Sequence, residues 1–562
     1  MASPYYNASA ANGPTGGHTY DHRHPTHGVG ALESELPPHQ EGDGAGGTWT
    51  KGEVQPRRCN DVLFAGLFVG HLVAMAVVAG VYAPMAMQSV VEQAGNAAGD
   101  AMSGEDDGGQ RDLLAGGEED VGSRSGLASR MTRAAVRLVV SSTVRGRRHL
   151  QEDGGDVSGV NDFNDLLLLM SISAAVALVI STTLALSVMI SHAQALIKTA
   201  LCFNIAASAV FAIASLFVSP FAAIWGIMLL GFTAYYAYVV WGRIPFAAAN
   251  LTTATTAVRK NLGLAYFAYG NLFVVVGWSA WWMVTFVSTI YVTSECNAEG
   301  CAKEENGLLV FLLLLSYYWT YQVLKNIVHV TVSGTVGTWW FVPSEASSCC
   351  SHAVRDSYVR CVTTSFGSIC FGSLLVAIIQ AVKQMVRNLR GRLGSTRGYR
   401  QANSIFHSLS CVFNVQKKAK TAEAFVFVGL YGYDFLTAGK NVINLFKTRG
   451  WTTIITDNLA QGVLGMVSAA VGLLTGLISL VIASSRGMVF GDELGASAAS
   501  FFVGFVTGMV LTNTLLTLVS SAVNTVVVCY AEAPAEFQTN HPALSDEMRG
   551  AWRQAWPVDF KY

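Results

Sequence analysis

One segment of the chain, 311–341, constrains its fold more than any other. It reads FLLLLSYYWTYQVLKNIVHVTVSGTVGTWWF, long enough to cross the roughly 30 Å hydrocarbon layer as a helix. Its polar side chains are Gln322, Lys325, Asn326 and His329. They fall three, four and seven residues after the first, which places them on one helical stripe. Because a charged side chain at the bilayer centre costs ~2.5 to 3.5 kcal/mol on insertion scales, this stripe must face protein, water or a solute.

Composition places the chain in the membrane. Hydrophobic residues make up 51% of the 562 residues and charged residues 13%, with a mean hydropathy of +0.39, whereas a soluble domain carries roughly 25% charged residues. The sequence therefore predicts an all-α, polytopic membrane protein. Its net charge of −1 gives no indication of a nucleic-acid partner.

Hydropathy divides the chain into five parts. They are a disordered cytosolic tail over 1–58, a first transmembrane helix over 59–84, a hydrophilic external loop over 85–164, a transmembrane core over 165–531 and a cytosolic tail over 532–562. The tails are assigned to the cytosol because an even number of spans returns the chain to its starting side. The basic connection 242–261 is typical of a cytosolic loop.

The number of spans depends on one weak apolar segment. Nine strong segments and the weaker one over 424–436 predict about ten transmembrane helices. With ten, the basic stretch 383–420 would lie outside, although Lys and Arg are typical of cytosolic loops. Two explanations are open: the weak segment is not a full crossing, or the basic residues continue a helix out of the membrane.

A short acidic stretch, 293–306, contains Cys296 and Cys301. The acidic composition favours an external loop, and external loops lie in oxidising surroundings. We therefore predict a disulfide between these two cysteines.

Two strings of residues carry a resemblance to a known family. The first runs from Tyr317 to Thr335 and ends in Thr338-Trp339-Trp340-Phe341; the second runs from Thr364 to Ala377 with Ile379-Gln380 after it. Both are similar to consecutive helices of the choline transporter-like protein family, in its fungal and protist branch. The resemblance implies transport of choline, or of a related organic cation such as ethanolamine, by alternating access across the plasma membrane or an endomembrane.

A permanent ammonium charge is stabilised by aromatic faces, at ~2 kcal/mol or more when desolvated, and by oriented oxygens. Aromatic and amide side chains lie on the helix predicted over 311–341 and on its neighbours. The predicted substrate-binding residues are Trp278, Trp282, Tyr318, Trp319, Gln322, Asn326, His329 and Gln380. We expect Lys325 to snorkel to the interface, and Trp339 and Trp340 to form an interfacial aromatic belt.

Other classes of function receive less support. The acids near the apolar segments lack the His-x-x-x-His or Gly-x-Ser-x-Gly partners of an intramembrane enzyme, so we expect no enzyme, no cofactor and no metal. The partners expected are a small cationic solute and membrane lipid. The alternative is a channel-like or non-transporting membrane scaffold that signals through its tails.

Overall fold

The computed structural model describes eight stretches of the chain, all of them helical or in short connections between helices. They are residues 59–103, 158–217, 219–293, 306–348, 351–392, 421–448, 459–486 and 493–555. Every regular element within them is a helix, which confirms the predicted all-α fold.

The helices are named in chain order. The first group is α1 (Val62–Ser103), α2 (Ser158–Val179), a π-helical turn (Ile180–Ala185), α3 (Leu186–Ser191), α4 (Ala193–Leu216), α5 (Pro220–Val240), α6 (Ile244–Lys260) and α7 (Gly263–Thr293). The second group is α8 (Gly307–Phe341), α9 (His352–Val362), α10 (Phe366–Arg392), α11 (Thr421–Tyr431), α12 (Phe435–Thr448), α13 (Leu459–Arg486), α14 (Glu493–Glu532), α15 (Pro534–Asn540) and α16 (Pro542–Ala555).

Nine helical stretches of the described residues are long and apolar enough to cross a membrane. They are Val62–Ser89, Leu168–Ser191, Ala193–Leu216, Ala223–Lys260, Gly263–Thr293, Gly307–Phe341, Phe366–Met385, Ala460–Ser485 and Ala499–Glu532. The prediction of a polytopic membrane protein with about ten transmembrane helices is thus confirmed. The first helix continues past Pro84 to Ser103, so the region predicted as an external loop begins as helix.

The weak segment 424–436 is broken in its middle. Helix α11 ends at Tyr431, Gly432 adopts a φ of 64°, and α12 begins at Phe435. The eleven residues of α11 rise only about 16 Å, roughly half of the hydrocarbon layer. The segment is therefore not one continuous crossing, which is the first of the two explanations considered for the basic stretch. The described helices therefore do not place both tails on the same side of the membrane.

The outer faces of the bundle are apolar. Phe211 on α4, Trp225 on α5 and Phe273 on α7 are each more than half exposed. Lipid tails are as apolar as these side chains, so the exposure is what a membrane-embedded surface requires.

Helix α8 lies at the centre of the bundle, in contact with α9, α10, α11 and α14. Its neighbours approach closely because small residues face it. A Cβ at Gly429 of α11 would lie 2.8 Å from the carbonyl oxygen of Val330. On another side, Thr525 of α14 donates to Ser333 Oγ at 3.1 Å. The second half of α8 is therefore surrounded by protein.

Polar contacts anchor the start of α1 to two other helices. Asp61, in the left-handed region at φ 55°, accepts hydrogen bonds from Ser368 Oγ at 2.7 Å and from the backbone N–H of Phe435 at 3.2 Å. Asn60 Nδ2 donates to the carbonyl oxygen of Gly432 at 2.6 Å. The Asp61 carboxylate thus caps the N-terminus of α12, where a negative charge is favourable, and joins α1 to α10 and to the break after α11.

Gly367→Ala is expected to weaken this anchor. A Cβ at Gly367 would overlap the carbonyl oxygens of Asn60 and Asp61, and backbone displacement of this kind costs ~1 to 3 kcal/mol. The melting temperature of the purified protein in detergent should fall. Gly270→Ala is the matched control, because nothing lies within 4 Å of a Cβ there and alanine favours helix by ~0.5 to 1 kcal/mol. Equal melting temperatures for Gly367→Ala and the wild type would contradict the anchor.

The C-terminal helices α15 and α16 fold back onto the end of α8. Asn540 Nδ2 donates to the carbonyl oxygens of Trp340 at 2.9 Å and Phe341 at 3.0 Å, and Trp340 Nε1 donates to the carbonyl oxygen of Ala533 at 3.0 Å. These bonds satisfy carbonyl groups that the last turn of a helix leaves without partners. The region after α14 is therefore part of the folded bundle.

The interfacial belt predicted for Trp339 and Trp340 is wrong. Trp339 is 2% exposed and stacks on His541 with ring centroids 4.0 Å apart. Trp340 is 0% exposed and stacks on Phe537 at 3.9 Å. Both rings are buried between α8 and the C-terminal helices, so they hold protein to protein.

His541 makes this contact dependent on pH. Burial lowers the pKa of His541 below its ordinary value, and the hydrogen bond between Nε2 and the Trp339 carbonyl oxygen acts in the opposite direction. Because the folded protein disfavours the charged ring, the stabilising contribution is complete above the unfolded pKa of ~6.5. It is lost as the pH falls from there through the folded pKa.

We expect the melting temperature to fall between about pH 7.5 and about pH 5.5 by more in the wild type than in His541→Phe. Phenylalanine retains a ring to stack on Trp339 and cannot take up a proton. Thermal unfolding of both proteins at both pH values measures the difference. The same pH dependence in the two proteins would show that His541 does not control this contact.

Candidate functional site

Six helices, α6, α8, α10, α11, α13 and α14, line a cavity of about 700 Å³. Amide side chains dominate its polar lining, accompanied by serine and threonine hydroxyls. The amides are Asn250, Gln322, Asn326, Gln461, Asn513 and Asn524. The cavity is therefore a polar compartment between helices of the bundle.

The polar stripe of α8 faces this cavity. All four of its members, Gln322, Lys325, Asn326 and His329, are on the lining. Three of them are buried by neighbouring side chains, whereas Lys325 is exposed. Lys325 therefore adds a positive charge to the wall, and its snorkelling to the interface stays a prediction.

Neighbouring helices hold each amide of the stripe by its nitrogen. Gln322 Nε2 donates to Gln380 Oε1 at 3.1 Å, and Asn326 Nδ2 donates to Ser373 Oγ at 2.9 Å, both across to α10. Each nitrogen is turned toward α10, so the amide oxygens of Gln322 and Asn326 are free to act as acceptors for a ligand. Gln380 itself is not on the lining; it orients Gln322 from behind.

His329 contributes a third acceptor. Its Nε2 lies 2.9 Å from the carbonyl oxygen of Ala422 on α11. A carbonyl oxygen can only accept, so Nε2 carries the hydrogen, and in the neutral ring Nδ1 is then the acceptor. Gln322, Asn326 and His329 thus present a row of acceptors along one face of α8.

The opposite wall comes from the closely packed pair α13 and α14. A Cβ at Gly472 would lie 3.0 Å from the carbonyl oxygen of Phe505, so the two helix backbones nearly touch. On the cavity side, Gln461 Nε2 donates to Ser520 Oγ, which again leaves an amide oxygen as acceptor. This wall had no candidate among the residues predicted from sequence.

Glu423 is the carboxylate among the described lining residues, and it was missed in the sequence. It lies in the first turn of α11, directly after the basic stretch 383–420, whose charges obscure it. Its one signal is position: an acid at the start of an apolar helix is close to the membrane. Together with Lys325 it gives the cavity charges of both signs.

Two phenylalanines, Phe246 and Phe425, supply aromatic surface to the cavity. Phe425 also meets the ring of His329 edge-on, with centroids 6.4 Å apart. Phe246 and Asn250 are four residues apart on α6, so they share one helical face. That spacing is the sequence signal that could have identified them.

The predicted aromatic residues lie elsewhere. Trp278, Trp282 and Tyr318 are not on the cavity lining. Trp282 packs between α7 and α8, where its Nε1 donates to the Leu313 carbonyl oxygen at 2.9 Å and its ring lies 4.7 Å from that of Tyr317. This cluster occupies the side of α8 that faces α7.

Trp319 is also away from the cavity. Its ring stacks on His71 of α1 with centroids 4.7 Å apart, and its Nε1 donates to the carbonyl oxygen of Cys370 at 3.0 Å. It therefore joins α1, α8 and α10. The predicted disulfide between Cys296 and Cys301 falls outside the described residues.

A family model described as plasma-membrane choline transporter matches residues 224–535, more than half of the chain. The chain belongs to this family. All residues on the cavity lining fall between 246 and 527, so they lie within the matched region.

Relatives from fungi and a protist confirm the predicted branch. Protein PNS1 of Gibberella zeae is 31% identical over 341 residues, which is 58% of this chain and 62% of the relative. Protein PNS1 of Kluyveromyces lactis is 26% identical over 444 residues, 74% of this chain and 79% of the relative. A CTL-like protein of Dictyostelium discoideum is 29% identical over 335 residues, 57% of this chain and 56% of the relative. The chain spans about three fifths of the length of the Gibberella and Dictyostelium relatives. Membership of the family supports a role in membrane transport.

The cavity should admit a small cationic thiol reagent. With the native cysteines replaced, Ser520→Cys on the lining should react with a trimethylammonium methanethiosulfonate in detergent. Ser479→Cys is the matched control, because Ser479 is fully buried and hydrogen-bonded to Ser173 at 2.7 Å. Since thiol reactivity follows exposure, the first should be modified at least about tenfold faster. Equal rates, measured by mass spectrometry, would contradict an accessible cavity.

Proposed function

We propose that this protein transports choline, or a related small organic cation such as ethanolamine, across the plasma membrane by alternating access, and that the cavity beside α8 is the substrate site. The single observation that carries the proposal is that the polar stripe of α8 lines a cavity of about 700 Å³ between the helices. A volume of 300 to 1,000 Å³ is roughly that of small-molecule sites in general. Membrane lipid surrounds the transporting bundle.

The chemistry of the cavity supports a cation. A quaternary ammonium cannot lose its charge by releasing a proton, so its site must compensate that charge by acceptors, a carboxylate and aromatic faces. The amide oxygens of Gln322 and Asn326 and the Nδ1 atom of His329 are the acceptors. Glu423 is the carboxylate, and Phe425 is an aromatic face on the same side.

We assign different roles to the predicted site residues outside the cavity. Gln380 orients the amide of Gln322. Trp282 and Trp319 use their indole N–H groups to bind backbone carbonyls, and their rings pack against protein. In this proposal they hold α7, α1 and α10 against α8, and cation binding falls to the side chains of the cavity.

Alternating access requires the two walls to move against each other. One wall, α13 with α14, is a closely packed pair that can move as a unit, since a Cβ at Gly476 would lie 2.9 Å from the Phe501 ring. The other wall includes α11, which ends at the break at Gly432. The first turns of α11 line the cavity, so a break at its other end offers a hinge for this wall, and discontinuous helices form substrate sites in other transporters.

The test is uptake of radiolabelled choline in choline-transport-deficient cells that express this chain. Unlabelled ethanolamine serves as competitor, and a sodium-free arm examines ion coupling. Saturable, competed uptake is the expected result. No saturable uptake despite expression at the cell surface would overturn the proposal and favour a non-transporting scaffold, and uptake that never saturates would favour a channel.

Glu423→Gln should raise the KM for choline about tenfold or more, because an interaction with a charged group contributes ~1.5 to 3 kcal/mol and 1.4 kcal/mol is a factor of ten. Glu345→Gln is the matched control: Glu345 is exposed, in the connection after α8, and is not on the lining. Its KM should equal that of the wild type. Concentration series of choline uptake give both values, and an unchanged KM in Glu423→Gln would remove this carboxylate from the site.

A further inference from the structure

The C-terminal helix α16 reaches the wall of the cavity through one tryptophan. Trp552 is fully buried, and its ring centroid lies 4.8 Å from that of Phe246 and 4.5 Å from that of Tyr530. Its Nε1 donates to Asn250 Oδ1 at 3.2 Å. Because Phe246 and Asn250 both line the cavity, Trp552 lies directly behind two side chains of the wall.

The direction of this hydrogen bond determines what Asn250 offers to a ligand. An indole N–H can only donate, so the amide atom that faces Trp552 must be oxygen. Asn250 is 2% exposed, and its oxygen is already engaged. With the oxygen turned toward Trp552, the amide nitrogen, which is a donor, lies on the other side of the planar amide. Without Trp552 the planar amide could turn either atom toward the cavity.

A donor on α6 complements the acceptors on α8. Gln322, Asn326 and His329 present acceptors, which suit an ammonium group. An ammonium group has no lone pair, so a donor such as the Asn250 amide cannot bind it favourably. A hydroxyl oxygen, in contrast, accepts a hydrogen bond from an N–H group. The cavity therefore combines acceptors for a positive charge with a donor for a hydroxyl oxygen.

We propose that Trp552 is a positioning residue that holds the Asn250 amide with its N–H groups toward the substrate, and that this arrangement selects cations bearing a hydroxyl group. The inference rests on the proposed transport of an organic cation through this cavity. It assigns the C-terminal helix a part in specificity, through a contact between residues 302 positions apart.

The experiment compares choline with ethyltrimethylammonium, which has the same charged group and lacks the hydroxyl. Uptake efficiency, the maximal rate divided by KM, is measured for each cation with surface expression recorded alongside. The wild type should prefer choline by about tenfold or more, because a buried donor left without a partner is costly. Trp552→Phe retains an aromatic ring against Phe246 and lacks the N–H, so the preference should fall below about threefold.

Trp340→Phe is the matched control. It also removes one indole hydrogen bond, the one that Trp340 Nε1 makes to the Ala533 carbonyl oxygen at 3.0 Å, in the same C-terminal contact but away from the lining. It should keep the wild-type preference. Asn250→Ala is the second test variant if Trp552→Phe fails to reach the surface, and it should lose the preference as well.

The outcomes separate this inference from the proposed function. Saturable wild-type choline uptake without preference over ethyltrimethylammonium would overturn the inference and leave the transporter standing. An unchanged preference in Trp552→Phe, or an equal loss in Trp340→Phe, would also overturn it, the latter by showing a general loosening of the C-terminal contact. No uptake of either cation by the surface-expressed wild type would overturn the proposed function and the inference with it.

Discussion

Lipid tails offer no hydrogen-bond partner, and α8 nevertheless carries polar side chains into the membrane. Each of these groups must be satisfied by the protein or by a water-filled space. Gln380 and Ser373 of α10 and the carbonyl oxygen of Ala422 on α11 accept hydrogen bonds from these side chains. The packing of α10 and α11 against α8 therefore follows from the requirement to satisfy its stripe. Small residues such as Gly429 allow the close approach that these bonds need, because a Cβ at Gly429 would lie 2.8 Å from the carbonyl oxygen of Val330 on α8.

The same hydrogen bonds give the cavity its chemical character. The neighbours of α8 engage the nitrogen atoms of Gln322 and Asn326 and the Nε2 atom of His329. The two amide oxygens and Nδ1 of His329 therefore remain as acceptors. On α6 the situation is reversed, since Trp552 engages the oxygen of Asn250. Interactions that stabilise the bundle thus also orient the groups that meet a solute.

The aromatic residues show where reasoning from sequence reached its limit. Trp282 and Trp319 lie on the helices of the predicted site, and their aromatic rings could bind a cation. Both rings nevertheless pack against neighbouring helices, away from the cavity. Sequence shows which residues share a helical face, but it does not show which neighbour covers that face. The aromatic lining comes from Phe246 and Phe425, on helices that precede and follow α8. Nothing in the local pattern of Phe425 distinguishes it from a packing residue, and Phe246 has only its spacing to Asn250 as a signal.

Hydropathy and helical period are properties of consecutive residues, so the membrane class, most of the transmembrane helices and the polar stripe on α8 could be predicted from the sequence. The tertiary structure decided which side of α8 meets a cavity, which residues of other helices complete its wall, and that Glu423 belongs to it. It also decided that Trp339 and Trp340 hold the C-terminal helices. These features depend on contacts between residues far apart in the chain, such as the 302 positions that separate Asn250 from Trp552, and periodicity within one helix carries no information about such contacts.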